Sequence, residues 1–179
     1  MMRSFLNKPQ RSKGMDKNLI SELEESIQAR RTFRKDKILL ISENALAKRN
    51  NKESAKHEYE MGKYLFEQGV QVPEMYDLRF VLGDWYIIMQ KIEGVSFPLI
   101  PKNLRDKAIN QYRAELEKIL ELEIYPEDAA GLNVLFHTPE EKVYLIDFEL
   151  WHKGSANELN QLYQWIKSPE LNFSTISPY

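Results

Sequence analysis

EDAAGLNVLFHTPEEKVYLIDFE, Glu127 to Glu149, is the stretch on which the reading of this chain turns. Asp128 is followed five residues later by Asn133 and then by the apolar run Val134-Leu-Phe136. A turn-forming His137-Thr-Pro-Glu-Glu separates that run from a second one, Val143-Tyr-Leu-Ile146, which ends at Asp147-Phe148. Two short strands joined by a turn carry the residue before the first strand and the residue after the second to the same end of the hairpin. Asn133 and Asp147 are therefore expected side by side. An amide oxygen and a carboxylate so placed suit a hard, oxygen-seeking cation such as Mg²⁺. Asp128, a turn away, is positioned to accept a proton from a hydroxyl being phosphorylated, which is the layout of a phosphotransfer site.

The bulk composition leaves room for such a site. A chain of 179 residues suits one domain or two small lobes around a modest shared core. Hydrophobic content of 42% and charged content of 29% are ordinary for a globular protein. A net charge of −2 indicates neither nucleic acid nor membrane as an obligatory partner. Met1–Lys17 departs from this balance, with Arg3, Lys8, Arg11, Lys13 and Lys17 against Asp16 alone. Such a stretch reads as a flexible tail or, more sharply, as a docking arm for an acidic partner. The chain has no cysteine, and His57, His137 and His152 lack metal-ligand spacing. No apolar run approaches the roughly 20 residues of a membrane span, and no signal-peptide core is visible. The expectation is a soluble, cytoplasmic protein.

No internal repeat or low-complexity segment interrupts the chain. Residues 19–27 (LISELEESI) read as a helical turn or two, and Arg31–Arg34, Lys37–Ile41 and Ala45–Arg49 as short strands. Glu53–Gln68 has helical spacing and stops at Gly69, a good residue to end a helix. Met75–Leu82 and Trp85–Gln90 read as strands joined at Gly83-Asp84, and Lys91–Pro101 as a linker. A long helix is expected from Leu104 to Leu122, with Ala108, Tyr112, Leu116, Ile119 and Leu120 on one stripe. A last helix covers Ala156–Lys167. Strands and a helix followed by mostly helix and one hairpin make an α+β arrangement. Its divisions are a basic tail (1–18), a sheet-rich part (19–90) and a mostly helical part (91–179).

In this order and at these spacings the chain, from about Ala45 to Glu149, resembles the protein-kinase-like superfamily. The likeness is to its compact atypical members: RIO kinases, KEOPS-associated kinases and aminoglycoside-phosphotransferase-like enzymes. EDAAGLN is similar to the catalytic loop H-R-D-x-x-x-x-N, and LIDFE to the strand end carrying D-F-G. The resemblance implies a two-lobed fold, with a small β-rich N-lobe and a truncated, mostly helical C-lobe. It implies Asp128 as catalytic base, and Asn133 and Asp147 as magnesium ligands that also bind ATP. ALAKR resembles V-A-I-K, making Lys48 the residue on the α/β-phosphates. HEYEMGKYLFEQGVQVP resembles the helix-C segment, making Glu58 the ion-pair partner of Lys48, with Glu60 as fallback. WYIIMQKIEG resembles a fifth strand and hinge, with Met89 as gatekeeper and the backbone of Gln90 and Ile92 on the adenine edge.

The departures are specific. No glycine lies between Met15 and Met61, so the glycine-rich phosphate loop is replaced by the basic turn Arg34-Lys-Asp-Lys37. Pro126-Glu127 stand where His-Arg precede the catalytic Asp, and D-F-E stands for D-F-G. Only 32 residues of the 179 follow Asp147, which leaves no room for the usual peptide-docking platform. Architectural readings compete at each position: a strand-end cap for Asp147, a turn residue for Asn133, a loop carboxylate for Asp128. Trp85 and Trp151 read as core, and Glu121-Leu-Glu123 as a solvated helix face. The function expected is an ATP- and magnesium-dependent kinase, acting first on a protein Ser/Thr and second on a small-molecule hydroxyl. The alternative is a pseudokinase or binding module that keeps the fold for a partner.

Overall fold

In the computed structural model the described residues are 37–129, 131–168 and 171, together with Ser21, Glu22 and Glu25. The expected strand Arg31–Arg34, the basic turn at 34–36 and the basic tail lie outside them, as does most of the helix at 19–27. The rest is mixed α+β, built on a four-stranded antiparallel sheet of order β1-β2-β4-β3. Its strands are β1 (Ile38–Leu40), β2 (Ala45–Asn50), β3 (Met75–Val81) and β4 (Asp84–Gln90).

The β3–β4 hairpin turns at Leu82-Gly83, one residue earlier than expected. Both have positive φ, 50° and 96°, the backbone a two-residue hairpin turn with right-handed strands requires. Asp84 is thereby freed to begin β4 opposite Val81.

Helix α1 (Lys52–Glu67) fills the β2–β3 connection. Asn51 caps it by accepting the Ser54 N–H at 2.9 Å. It ends as its sequence dictates: Gly69 takes φ 79°, Val70 N–H reaches the Leu65 carbonyl at 3.0 Å and Gly69 N–H the Phe66 carbonyl at 3.1 Å. These two bonds satisfy carbonyls that a helix end otherwise leaves open. Ala55, Glu58, Gly62 and Leu65 form its buried face. A Cβ on Gly62 would lie 2.3 Å from Met75 Cε and 3.0 Å from Phe148, so any larger residue there would have to push the Met75 side chain aside.

Helix α2 (Arg105–Glu121) buries Ala108, Tyr112, Leu116 and Ile119, with Leu120 half-buried. It is followed by β5 (Ile124–Tyr125), the hairpin β6 (Val134–His137) and β7 (Lys142–Leu145), and β8 (His152–Lys153), which pairs with β5. Helix α3 (Ala156–Lys167) starts at a reciprocal cap in which Ser155 and Glu158 exchange side-chain and backbone bonds. Residues 91–101 are not a bare linker. Lys91 N–H bonds Asn44 O at 2.9 Å, and Val95 and Phe136 exchange both backbone bonds at 3.0 and 2.9 Å, so the segment is fastened at two points.

One hydrophobic cluster runs from the inner sheet face (Met75, Ile87, Met89) through α1 and α2 to Phe148, Trp151 and α3. A second cluster of Leu39, Ala47, Val81, Tyr86 and Ile88 covers the other sheet face. Among the described residues no helix is long and apolar enough to cross a membrane.

Candidate functional site

Three elements meet at Lys48. Its side chain leaves β2 toward α1, and Nζ donates to Glu58 Oε1 at 2.8 Å and to Asp147 Oδ1 at 2.7 Å. Glu58 lies 10 positions away along the chain and Asp147 lies 99 away. The neighbouring Arg49 points elsewhere and pairs with Asp84 at 3.6 Å. Glu58, not Glu60, is the partner of Lys48. Glu58 sits on the buried face of α1 with 1% of its surface exposed, whereas Glu60 is exposed beside Lys56.

The electrostatics follow from one ammonium serving several carboxylates. Burial alone would lower the Lys48 pKa, but the charges and hydrogen bonds of Glu58 and Asp147 outweigh it and hold the group above its ordinary value. Burial pushes Glu58 up, and Lys48 only partly offsets this; the charges of Asp147 and Glu149 add to the rise. Lys48 is thus firmly charged, while Glu58 is the strained member of the pair.

Asp147 follows β7 with φ 65°, a left-handed conformation uncommon for any residue but glycine and concentrated at functional positions. Ile146 N–H bonds the Asn133 carbonyl at 3.0 Å, closing the open end of the β6–β7 hairpin. The backbones of Asn133 and Asp147 therefore lie at one end, as the sequence pattern requires. Asn133 Nδ2 donates to Asp128 Oδ2 at 3.0 Å and to the Asp128 carbonyl at 3.1 Å, which aims its Oδ1 away from Asp128. Burial, and then the charge of Asp147, raise the Asp128 pKa. The Trp151 indole N–H faces the Asp128 carboxylate closely enough to oppose that rise, although neither Trp151 Nε1 nor Asp128 Oδ1 reaches full hydrogen-bond geometry.

Several residues that hold this arrangement carry no sequence signal of their own role. His57, one position before Glu58, donates from Nε2 to the Trp151 carbonyl at 2.7 Å. Trp151 is fully buried, edge-on to Phe148 at 5.0 Å. Asn50 Nδ2 donates to Glu149 Oε2 at 3.1 Å. Asn50 is two residues past Lys48 on the same face of β2, so alternation of side chains could have found it.

The expected hinge stands differently. Met89 is buried, paired with Leu46 on one side and Met75 on the other. The Gln90 N–H, however, is consumed by the Glu74 carbonyl at 2.9 Å, because β4 pairs with the segment leading into β3; it is not open to a ligand. Ile92 has no backbone partner among the described residues. Trp85 is half-buried against the core, and Glu121 and Glu123 are exposed, as expected.

Comparison of the sequence with protein-family models and with curated proteins gives no match.

Proposed function

We propose that the chain is an ATP- and magnesium-dependent phosphotransferase of the two-lobed kinase type, with a protein Ser/Thr hydroxyl as its first acceptor class and a small-molecule hydroxyl as its second. The observation that carries this reading is Lys48 shared between Glu58 and Asp147, with Asp128 and Asn133 beside it. The residues fit magnesium by their donor chemistry. Asn133 keeps its amide oxygen free by giving its N–H group to Asp128, and Asp147 commits Oδ1 to Lys48 and keeps Oδ2. Both are hard oxygen donors at one end of a hairpin. Magnesium, when bound, supplies neutralisation of phosphate charge.

The chain's own residues do the rest. Lys48, fixed by Glu58, presents a permanent positive charge toward the phosphates. Asp128 takes the proton of the acceptor hydroxyl, and its raised pKa makes it a stronger base than an ordinary carboxylate. Asn133 orients Asp128 through two hydrogen bonds. The work is positioning and charge neutralisation, which is most of what phosphoryl transfer asks of a protein. An ATP-fed reaction belongs with the cytoplasmic nucleotide pool, where we expect the chain to act.

A pseudokinase or binding-module reading has one observation in its favour: the Gln90 N–H, one of the backbone groups expected at the adenine edge, is consumed by the Glu74 carbonyl. Calorimetric titration of ATP with Mg²⁺ decides between the two. Binding that Asp147→Ala weakens at least tenfold, together with transfer of labelled phosphate, supports the enzyme. No binding removes it.

A further inference from the structure

We propose that Glu58, Asp147 and Glu149 form a divalent-cation site that fills in the absence of nucleotide. One ligand atom from each lies within 4.8 Å of the others. Each carboxylate commits one oxygen to a protein donor and keeps the second. Glu58 Oε1 and Asp147 Oδ1 accept from Lys48, and Glu149 Oε2 accepts from Asn50. The remaining oxygen of Glu58, Oε2, is buried with no hydrogen-bond partner. A carboxylate oxygen so enclosed is costly unless something positive faces it.

Charge counting points the same way. Of the three carboxylates, Glu58 and Asp147 share the Lys48 ammonium and Glu149 has only the neutral Asn50 amide, leaving two uncompensated negative charges in the cluster. An oxygen-only donor set with that deficit matches Mg²⁺, Mn²⁺ or Ca²⁺ rather than a softer ion. The donors are held by the structure: Glu58 by the buried face of α1, Asp147 and Glu149 by the turn after β7. The site shares Asp147 with the magnesium pair proposed above but draws its other ligands from Glu58 and Glu149. It rests on carboxylate geometry and stands independently of the phosphotransfer reading.

Mn²⁺ alone, added to the nucleotide-free full chain, is the probe, with paramagnetic broadening of amide NMR signals as the readout. The Glu58 and Glu149 amides are expected to broaden first, and Mg²⁺ to reverse it. Glu149→Gln should weaken Mn²⁺ binding about tenfold or more, and Asn133→Ala by no more than about twofold. No broadening at millimolar Mn²⁺, or broadening centred on Asn133 and removed by Asn133→Ala, overturns the site. If Glu149→Gln melts early, the wild-type broadening map decides alone. Absent phosphotransfer with that map intact would remove the proposed activity and leave the cation site standing.

Discussion

Replacing Lys48 with Met keeps the aliphatic stem and removes the ammonium. Glu58 then loses its one hydrogen-bond donor among the described residues while staying about as buried as before, with 1% of its surface exposed. Asp147 suffers less, since 37% of its side chain is exposed and water takes over. The loss is therefore mainly that of one buried, unpaired carboxylate, about 3–5 kcal/mol. At about 2–4 °C per kcal/mol for a chain of this size, Tm falls by about 6–20 °C. The loss depends on pH in a definite direction. Without Lys48 the Glu58 pKa rises further above 4.5, so the folded state keeps a proton that the unfolded chain has released. The Glu58 contribution to the variant's stability is fully present below the unfolded pKa and is lost as pH rises through the folded pKa. Lys48→Met combined with Glu58→Leu removes the orphaned charge, and should recover most of the loss and flatten the pH profile. Thermal melts followed by circular dichroism from mildly acidic to mildly alkaline pH test this. The reasoning fails if the single and double variants melt together near neutral pH, or if the single variant shows no pH dependence.

Gly62→Ala should lower stability by about 1–3 kcal/mol through overpacking against Met75 and Phe148, more than the roughly 1 kcal/mol of helix propensity that alanine adds; urea unfolding reads the sign. Ser155→Ala should cost about 0.5–2 kcal/mol by opening the reciprocal cap of α3, seen as a lower denaturation midpoint at unchanged slope. Asp128→Asn should cut phosphotransfer about 10²–10⁴-fold while nucleotide affinity, measured by calorimetry, stays near wild type.

Much of the fold was readable because its punctuation is local. Gly69 ends α1, and α3 spans Ala156–Lys167, where a last helix is expected. The choice of Glu58 over Glu60 is also written in the chain: Ala55, Gly62 and Leu65 define a face that includes 58 and excludes 60. What stayed hidden is carried by backbone atoms or by partners far apart in sequence. Side chains do not announce that Gln90 N–H is taken by Glu74, or that residues 91–101 are fastened to β6. The link from Asn50 to Glu149 spans 99 positions, and that from His57 to Trp151 spans 94. Alternation along β2 places Asn50 on the face of Lys48, but its partner, like that of His57, becomes visible only once the segment after β7 is brought against β2 and α1.

The two fastenings of residues 91–95 have a mechanical consequence. Lys91 is tied to the strand connection at Asn44 and Val95 to the hairpin strand at Phe136, leaving Ile92, Glu93 and Gly94 between the knots. The Leu145 N–H adds a further bond, to the Gln71 carbonyl at 3.0 Å, so the sheet that carries Lys48 and the hairpin that leads to Asp147 are stitched together at separate points along the chain, and the distance between Lys48 and Asp147 is set by backbone as well as by their own ion pair.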